Sequence, residues 1–340
     1  MVLVENLEKE LKTGKLNSIY LFYGEETFLL ENCLKKVKSN FGERKIGINE
    51  VKIDETNVNG IISDIETPAF GYEKKLIIAR NTGLFKKEGK RKTGINLELI
   101  HKVAEYIKEN INTIQESVVL VFIEQEAEKN ELYKTIEECG IVCEFNELKP
   151  IQISARMKAI CKAYGVQIED STMNYFIECS GTNMQKIINE IRKLIEYVGN
   201  GGTITKQAID LLCIKQIDSI IFDLTDNLGK KKVGKALEVL NGLLYQKEPI
   251  QKILITLYHH FQKLYFVKIA QRENRNIAES LKLKPNQMFL VNKYKLQAKG
   301  FKTSELKKII QELEDLDYKY KIGLIDLNVG LEAILCAYCS

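Results

Sequence analysis

The sequence predicts an open α/β sheet over residues 1–147, then a small all-helical unit at 148–210 and a larger helical unit at 211–340. Three observations carry this reading. Apolar strand-like runs alternate with amphipathic helical segments as far as Phe145. After Pro150 the strand signal largely vanishes. From Asp218 onward, long apolar stripes at helical spacing take over.

Taken in order, residues 19–23 form an apolar, aromatic run that reads as a buried parallel strand, and Gly24 ends it. Leu29, Leu30, Leu34 and Val37 then recur at helical spacing over residues 27–38. Residues 50–54 alternate as a second strand. Residues 58–65 make a short amphipathic helix broken before Pro68, and residues 75–80 make a third strand. Residues 95–109 are helical, and 118–123 are a continuous apolar run of the kind found in a central parallel strand. Residues 140–145 supply the last strand. Residues 154–164, 171–179 and 183–198 are helical, residues 200–203 are a turn, and Thr205 is placed to cap the next helix. Ile250, Ile253, Leu254, Leu257, Phe261 and Leu264 form one apolar stripe; Leu306, Ile309, Ile310, Leu313 and Leu316 form another.

The chain has 340 residues, enough for two or three domains with cores of their own. Hydrophobic residues make up 45% with no long apolar run, which excludes a disordered chain and a membrane-spanning one. Residues 1–12 are charged and amphipathic, unlike the apolar core of a signal peptide, so the expected compartment is the cytoplasm. The eight cysteines fit that compartment as small buried hydrophobes. Cys336 and Cys339 have a metal-type spacing, but no second pair or nearby histidine accompanies them. Cys139 and Cys143 lack a matching pair as well, so no metal site is expected. Net charge is +4, unevenly spread: residues 211–340 hold 21 Lys and Arg against 14 Asp and Glu, whereas residues 1–210 hold 29 against 32. A nucleic-acid-facing surface and a lysine-rich solvated helical surface both account for that asymmetry.

Residues 24–31 have the frame of a phosphate-binding loop without its chemistry. Such a loop needs glycines that open backbone N–H groups to phosphate, a lysine for the β/γ-phosphates and a Ser/Thr hydroxyl for Mg²⁺. Here Leu29, Leu30 and Glu31 stand at those positions after Gly24, and Glu25, Glu26 and Glu31 would repel a triphosphate. No nucleotide cofactor is expected. The strand 118–123 ends in Glu124-Gln125 rather than an Asp-Glu pair, so Glu124 reads as a strand-end carboxylate, not a catalytic base. His101 has no neighbouring nucleophile, and His260 lies on an apolar stripe as a structural histidine, with His259 beside it. No catalytic residue emerges. The basic patch 86–92 reads as a surface loop. Lys230, Lys231 and Lys232, between two helices, are better placed for a phosphate backbone, with plain solvation an equal alternative. In Thr67-Pro68-Ala69-Phe70-Gly71-Tyr72, proline and glycine bracket a phenylalanine just before a strand. The residues alone favour Phe70 buried against the sheet; the alternative presents it as an anchor for a pocket on another protein.

Several of these pieces, in their order and spacing, resemble the delta subunit of the bacterial DNA polymerase III clamp loader. They are the strand-loop-helix at 19–31, residues 67–71 before a strand, Ser180-Gly181-Thr182-Asn183 leading into residues 189–194, Ile220-Ile221-Phe222-Asp223-Leu224, and residues 317–323. The resemblance covers nearly the whole chain. It implies an AAA+-type, P-loop NTPase-like α/β domain at 1–147 with a degenerate nucleotide loop, a helical lid at 148–210 and an all-α collar at 211–340. It also implies a non-ATPase subunit that binds the sliding clamp (the beta subunit) and helps hold one interface open during replication. The ATPase subunits (gamma/tau) and delta-prime would complete a hetero-pentamer acting on primed DNA. In the family an apolar pair, usually leucine-phenylalanine, grips the clamp. By position these are Ala69 and Phe70, so Phe70, with Pro68, would carry more of the contact here. An active P-loop ATPase with a nonstandard loop and a freestanding DNA-binding module are the competing readings.

Overall fold

The structure, a computed structural model, describes residues 1–86, 97–283, 287–288 and 290–339. It divides into two compact units, Met1–Glu147 and Leu148–Ser340.

In the first unit the elements run α1 (Val4–Lys12), β1 (Ile19–Tyr23), α2 (Thr27–Phe41), β2 (Glu50–Ile53), α3 (Ile61–Glu66), β3 (Lys75–Arg80), α4 (Leu97–Glu109), α5 (Ile111–Ser117), β4 (Val118–Glu124), α6 (Glu131–Cys139) and β5 (Ile141–Glu144). The five strands form one parallel sheet in the order β2-β3-β4-β1-β5. Parallel strands need crossover helices on the sheet faces, and burial on both faces makes the central strands predominantly apolar. β1 and β4 are buried at every position. Successive side chains point to opposite faces. Ile19, Leu21, Leu120 and Phe122 therefore join Val103, Ile107, Leu132 and Ile136 of α4 and α6 in one core. Tyr20 and Phe22 are buried on the other face, Phe22 edge-on to Phe145 at 5.4 Å.

The strands at 19–23 and 75–80 coincide with the expectation. α2 runs three residues beyond residue 38, to Phe41, and residues 58–60 form a 3-10 turn ahead of α3. α4 is described from Leu97, so the expected helix start at residues 95–96 lies outside the described residues. α1, α5 and α6 add helices that the sequence reading did not name.

The described residues of the second unit are helical apart from two short parallel strands. Its elements are α7 (Pro150–Ala163), β6 (Gln167–Ile168), α8 (Asp170–Ser180), α9 (Met184–Val198), β7 (Thr203–Ile204) and α10 (Lys206–Leu212), followed by α11 (Ile217–Gly229), α12 (Val233–Tyr245), α13 (Ile250–Arg272), α14 (Ile277–Ser280), α15 (Leu290–Ala298), α16 (Thr303–Lys321) and α17 (Leu327–Cys339). α7 starts at Pro150, where a missing N–H costs nothing at the first turn. Asn183 and Thr205 cap α9 and α10 through their side-chain oxygens. The β6-β7 pair corrects the expectation of a strand-free segment.

The 23-residue α13 is central to the later helices, contributing Ile253, Leu257, Phe261 and Leu264 to a core shared with Ile221, Leu313 and Leu331. His260 is part of this core. It stacks edge-on to Phe222 at 4.5 Å and hydrogen-bonds Gln297 at 2.6 Å and Thr225 at 3.0 Å. Burial drives its pKa down to about 3, which keeps the ring neutral. It is the structural histidine the apolar stripe predicts. Among the described residues no helix is long and apolar enough to cross a membrane.

Candidate functional site

The carboxyl ends of β1, β3 and β4 are where a doubly wound sheet places its ligand. The cleft there, of ≈ 600 Å³, is lined by Gly24, Glu25, Thr27, Asn81, Lys86 and Glu124. α2 begins at Thr27, so the positions after the loop are already helical, and Leu29 and Leu30 are buried in the core. Glu31 pairs with Arg80 at 2.7 Å. Glu26 is buried, so of the three loop carboxylates only Glu25 lines the cleft. Two backbone N–H groups of the loop have internal acceptors. Gly24 donates to the Glu124 carbonyl at 3.3 Å, and Glu26 to the Phe145 carbonyl at 2.8 Å. Gly24 has φ 132°, and a Cβ there would lie 2.3 Å from the Phe145 carbonyl oxygen. This glycine answers a close approach of two backbones.

Glu124 ends β4 and is buried, where Thr82 donates to it from its backbone N–H at 2.8 Å and from its hydroxyl at 2.7 Å. Burial pushes its pKa up to about 7, with the two Thr82 bonds offsetting part of the effect. The folded-state value lies above that of the unfolded chain. The fold therefore favours the protonated form, and this contribution to stability is complete below about pH 4.5 and lost as pH rises through about 7. Glu124→Gln keeps an acceptor for Thr82 and removes the buried charge. It is expected to be more stable than the parent at pH 8 by on the order of 1 kcal/mol, and of equal stability at pH 4. Superimposable melting curves at pH 8 would show that the carboxylate ionises there without penalty.

The opposite, amino-terminal end of the sheet carries the second feature. Between α3 and β3 the chain turns at residues 69–72, where the Tyr72 N–H donates to the Ala69 carbonyl at 3.2 Å. Gly71 at the third position has φ 80°, as a type II turn requires. The turn leaves Phe70 at the tip, 92% exposed, with Pro68 exposed and Ala69 half-buried. The burial that the residues alone favoured for Phe70 is overturned. The faces of the sheet are already covered by helices, and the turn directs the ring outward.

Of the other candidates, Lys230, Lys231 and Lys232 lie exposed between α11 and α12. Lys230 pairs with Asp226, and Lys231 donates to the Tyr338 carbonyl at 2.7 Å with its ammonium 3.7 Å from that ring's centre. Lys86 of the basic patch pairs with Glu55 at 3.5 Å, and residues 87–92 lie outside the described residues. His101 is exposed and bonded to Glu131 at 2.9 Å, which raises its pKa. Cys33, Cys143, Cys161, Cys179 and Cys213 are buried thiols outside any disulfide; the side chain of Cys339 lies outside the described residues. The sequence reading missed Thr82 as the partner of Glu124. It also missed the burial of Lys75, for which the signal was a lysine opening a strand whose next four residues are apolar.

Comparison with known proteins places this architecture. A model described as DNA polymerase III, delta subunit, matches residues 20–146, and one described as DNA polymerase III delta subunit, C-terminal domain, matches residues 218–338. DNA polymerase III subunit delta of Bacillus subtilis (strain 168) is 24% identical over 98% of this chain and 96% of its own. The probable DNA polymerase III subunit delta of Aquifex aeolicus (strain VF5) is 27% identical over 91% of this chain and 87% of its own. The solved structure of the Bacillus subtilis DNA clamp loader delta protein superposes with a TM-score of 0.74 at 24% identity, covering 99% of both chains, a likeness of fold. The chain belongs to the DNA polymerase III delta-subunit family, and is thereby a component of the clamp loader in the replicative polymerase complex.

Proposed function

We propose that this chain binds the ring-shaped sliding clamp through the turn at residues 69–72 and helps hold one ring interface open, without turning over ATP itself. The observation that carries the reading is Phe70, a large apolar side chain 92% exposed at the tip of a hydrogen-bonded turn. An exposed aromatic on a hydrogen-bonded turn brings a large apolar surface to a pocket, as central interface anchors do.

In this reading residues 1–147 are an AAA+-type domain whose nucleotide loop is degenerate. The helical start at Thr27, the buried Leu29 and Leu30 and the internally bonded N–H groups of Gly24 and Glu26 support that. No nucleotide or metal cofactor is then needed in this subunit. Residues 148–210 serve as lid and residues 211–340 as collar. Exposed Tyr318, Ile322, Leu324 and Val329 near the α16–α17 connection offer an apolar surface for neighbouring subunits. Those partners are the gamma/tau ATPases and delta-prime of a cytoplasmic hetero-pentamer. Primed DNA would be met through the assembly, with Lys232 the freest of Lys230, Lys231 and Lys232 for phosphate.

Reconstitution tests this. The purified chain should co-elute with the clamp in the absence of nucleotide, show no ATP binding at micromolar concentrations by calorimetry, and enter the pentamer less well as Leu324→Lys. Saturable ATP binding would favour an active ATPase, and tight, salt-sensitive DNA binding without partners would favour a freestanding DNA-binding module.

A further inference from the structure

The first residue of β3 is out of character with the rest of the strand. Lys75 begins a run of Leu76, Ile77, Ile78 and Ala79, all buried, and is itself only 4% exposed. Burying an ammonium is costly without a partner, and loss of solvation lowers its pKa. Its Nζ donates to the Asp64 carbonyl at 2.8 Å. Asp64 lies in the last turn of α3, where backbone carbonyls have no intrahelical donor. The neighbouring Ser63 carbonyl accepts from the Thr67 N–H at 3.0 Å and the Thr67 hydroxyl at 2.7 Å. The side chain of Lys75 therefore spans from the start of β3 to the end of α3, across the base of the segment 67–74 that carries Phe70.

We propose that Lys75 is a positioning residue for clamp recognition: its bond to the Asp64 carbonyl ties the two ends of the Phe70 loop together and holds the turn in its docking geometry before the clamp arrives. This rests on reading Phe70 as the clamp anchor. A loop closed at its base has less freedom to lose on binding, so affinity is gained without any contact between Lys75 and the clamp.

The test is a double-mutant cycle on the full-length chain with purified clamp, accompanied by amide exchange of residues 67–74 in the free protein. Lys75→Met keeps an unbranched apolar stem of similar length and removes the donor. It is expected to speed exchange across the loop and to weaken clamp binding about tenfold, which is about 1.4 kcal/mol. In the Phe70→Ala background the same change should add little, because Lys75 acts through Phe70. Lys75→Arg, which keeps a donor, should recover part of the affinity; it also guards against poor folding of the methionine variant. A lysine that serves stability alone would lower the melting temperature of Lys75→Met while leaving clamp affinity unchanged. That outcome, or equal losses in both backgrounds, overturns the proposal while Phe70 stands as anchor. Unchanged affinity in Phe70→Ala would remove the anchor reading itself, and the role of Lys75 with it.

Discussion

Phe70→Ala is expected to weaken binding to the sliding clamp on the order of 30-fold or more, with little change in melting temperature. Fully burying a phenylalanine contributes ~1.5–3 kcal/mol by area, and truncating a central aromatic anchor commonly costs about 2 kcal/mol or more. Each 1.4 kcal/mol is about a factor of ten in affinity. The ring is 92% exposed in the free protein, so its removal opens no cavity. A core phenylalanine such as Phe122, fully buried in β4, would instead lose about 3–5 kcal/mol of stability on truncation. Titration calorimetry with purified clamp and thermal melts of the same two samples separate the cases. Undiminished affinity in Phe70→Ala would place the anchor elsewhere on the chain.

Gly24→Ala is expected to destabilise the protein by about 3 kcal/mol or more. Two costs combine: a φ of 132°, which suits only glycine, and a Cβ 2.3 Å from the Phe145 carbonyl oxygen. The clashing atom belongs to backbone, which cannot rotate away as a side chain can. Gly71→Ala is the control. Gly71 also has a positive φ, of 80°, but a Cβ there meets nothing within 4 Å, so only the strain of about 1–2 kcal/mol remains. Urea unfolding of the two variants measures the difference. Equal midpoints would mean that the approach of residue 24 to residue 145 relaxes at no cost. A glycine kept for phosphate binding would show its effect in nucleotide affinity, whereas here the effect falls on folding.

The central strands were legible because burial on both faces leaves no polar residue in the middle of a run. Residues 118–123 and Ile19–Tyr23 are continuous apolar segments of strand length. The long helices α13 and α16 were legible because their stripes repeat over several turns. α6 was not, since its buried face is made of Leu132, Tyr133, Thr135 and Ile136, a short and partly polar set. β6 and β7 span two residues each, too few to establish any period. Which residues follow Gly24 was also readable, because the order of Leu29, Leu30 and Glu31 is a property of the sequence.

Composition, periodicity and motif spacing are properties of neighbouring residues, and from them came the order of an α/β part followed by a largely helical one, the missing phosphate-loop lysine and the position of the loop that bears Phe70. The direction of Phe70, the Thr82–Glu124 bond across 42 positions and the reach of Lys75 to the Asp64 carbonyl came only with the folded chain. Whether Phe70 is buried depends on whether distant helices have already covered the sheet, and whether a carboxyl or an ammonium is partnered depends on segments far from it in order. Such relations are created when the strands align, so no local pattern encodes them.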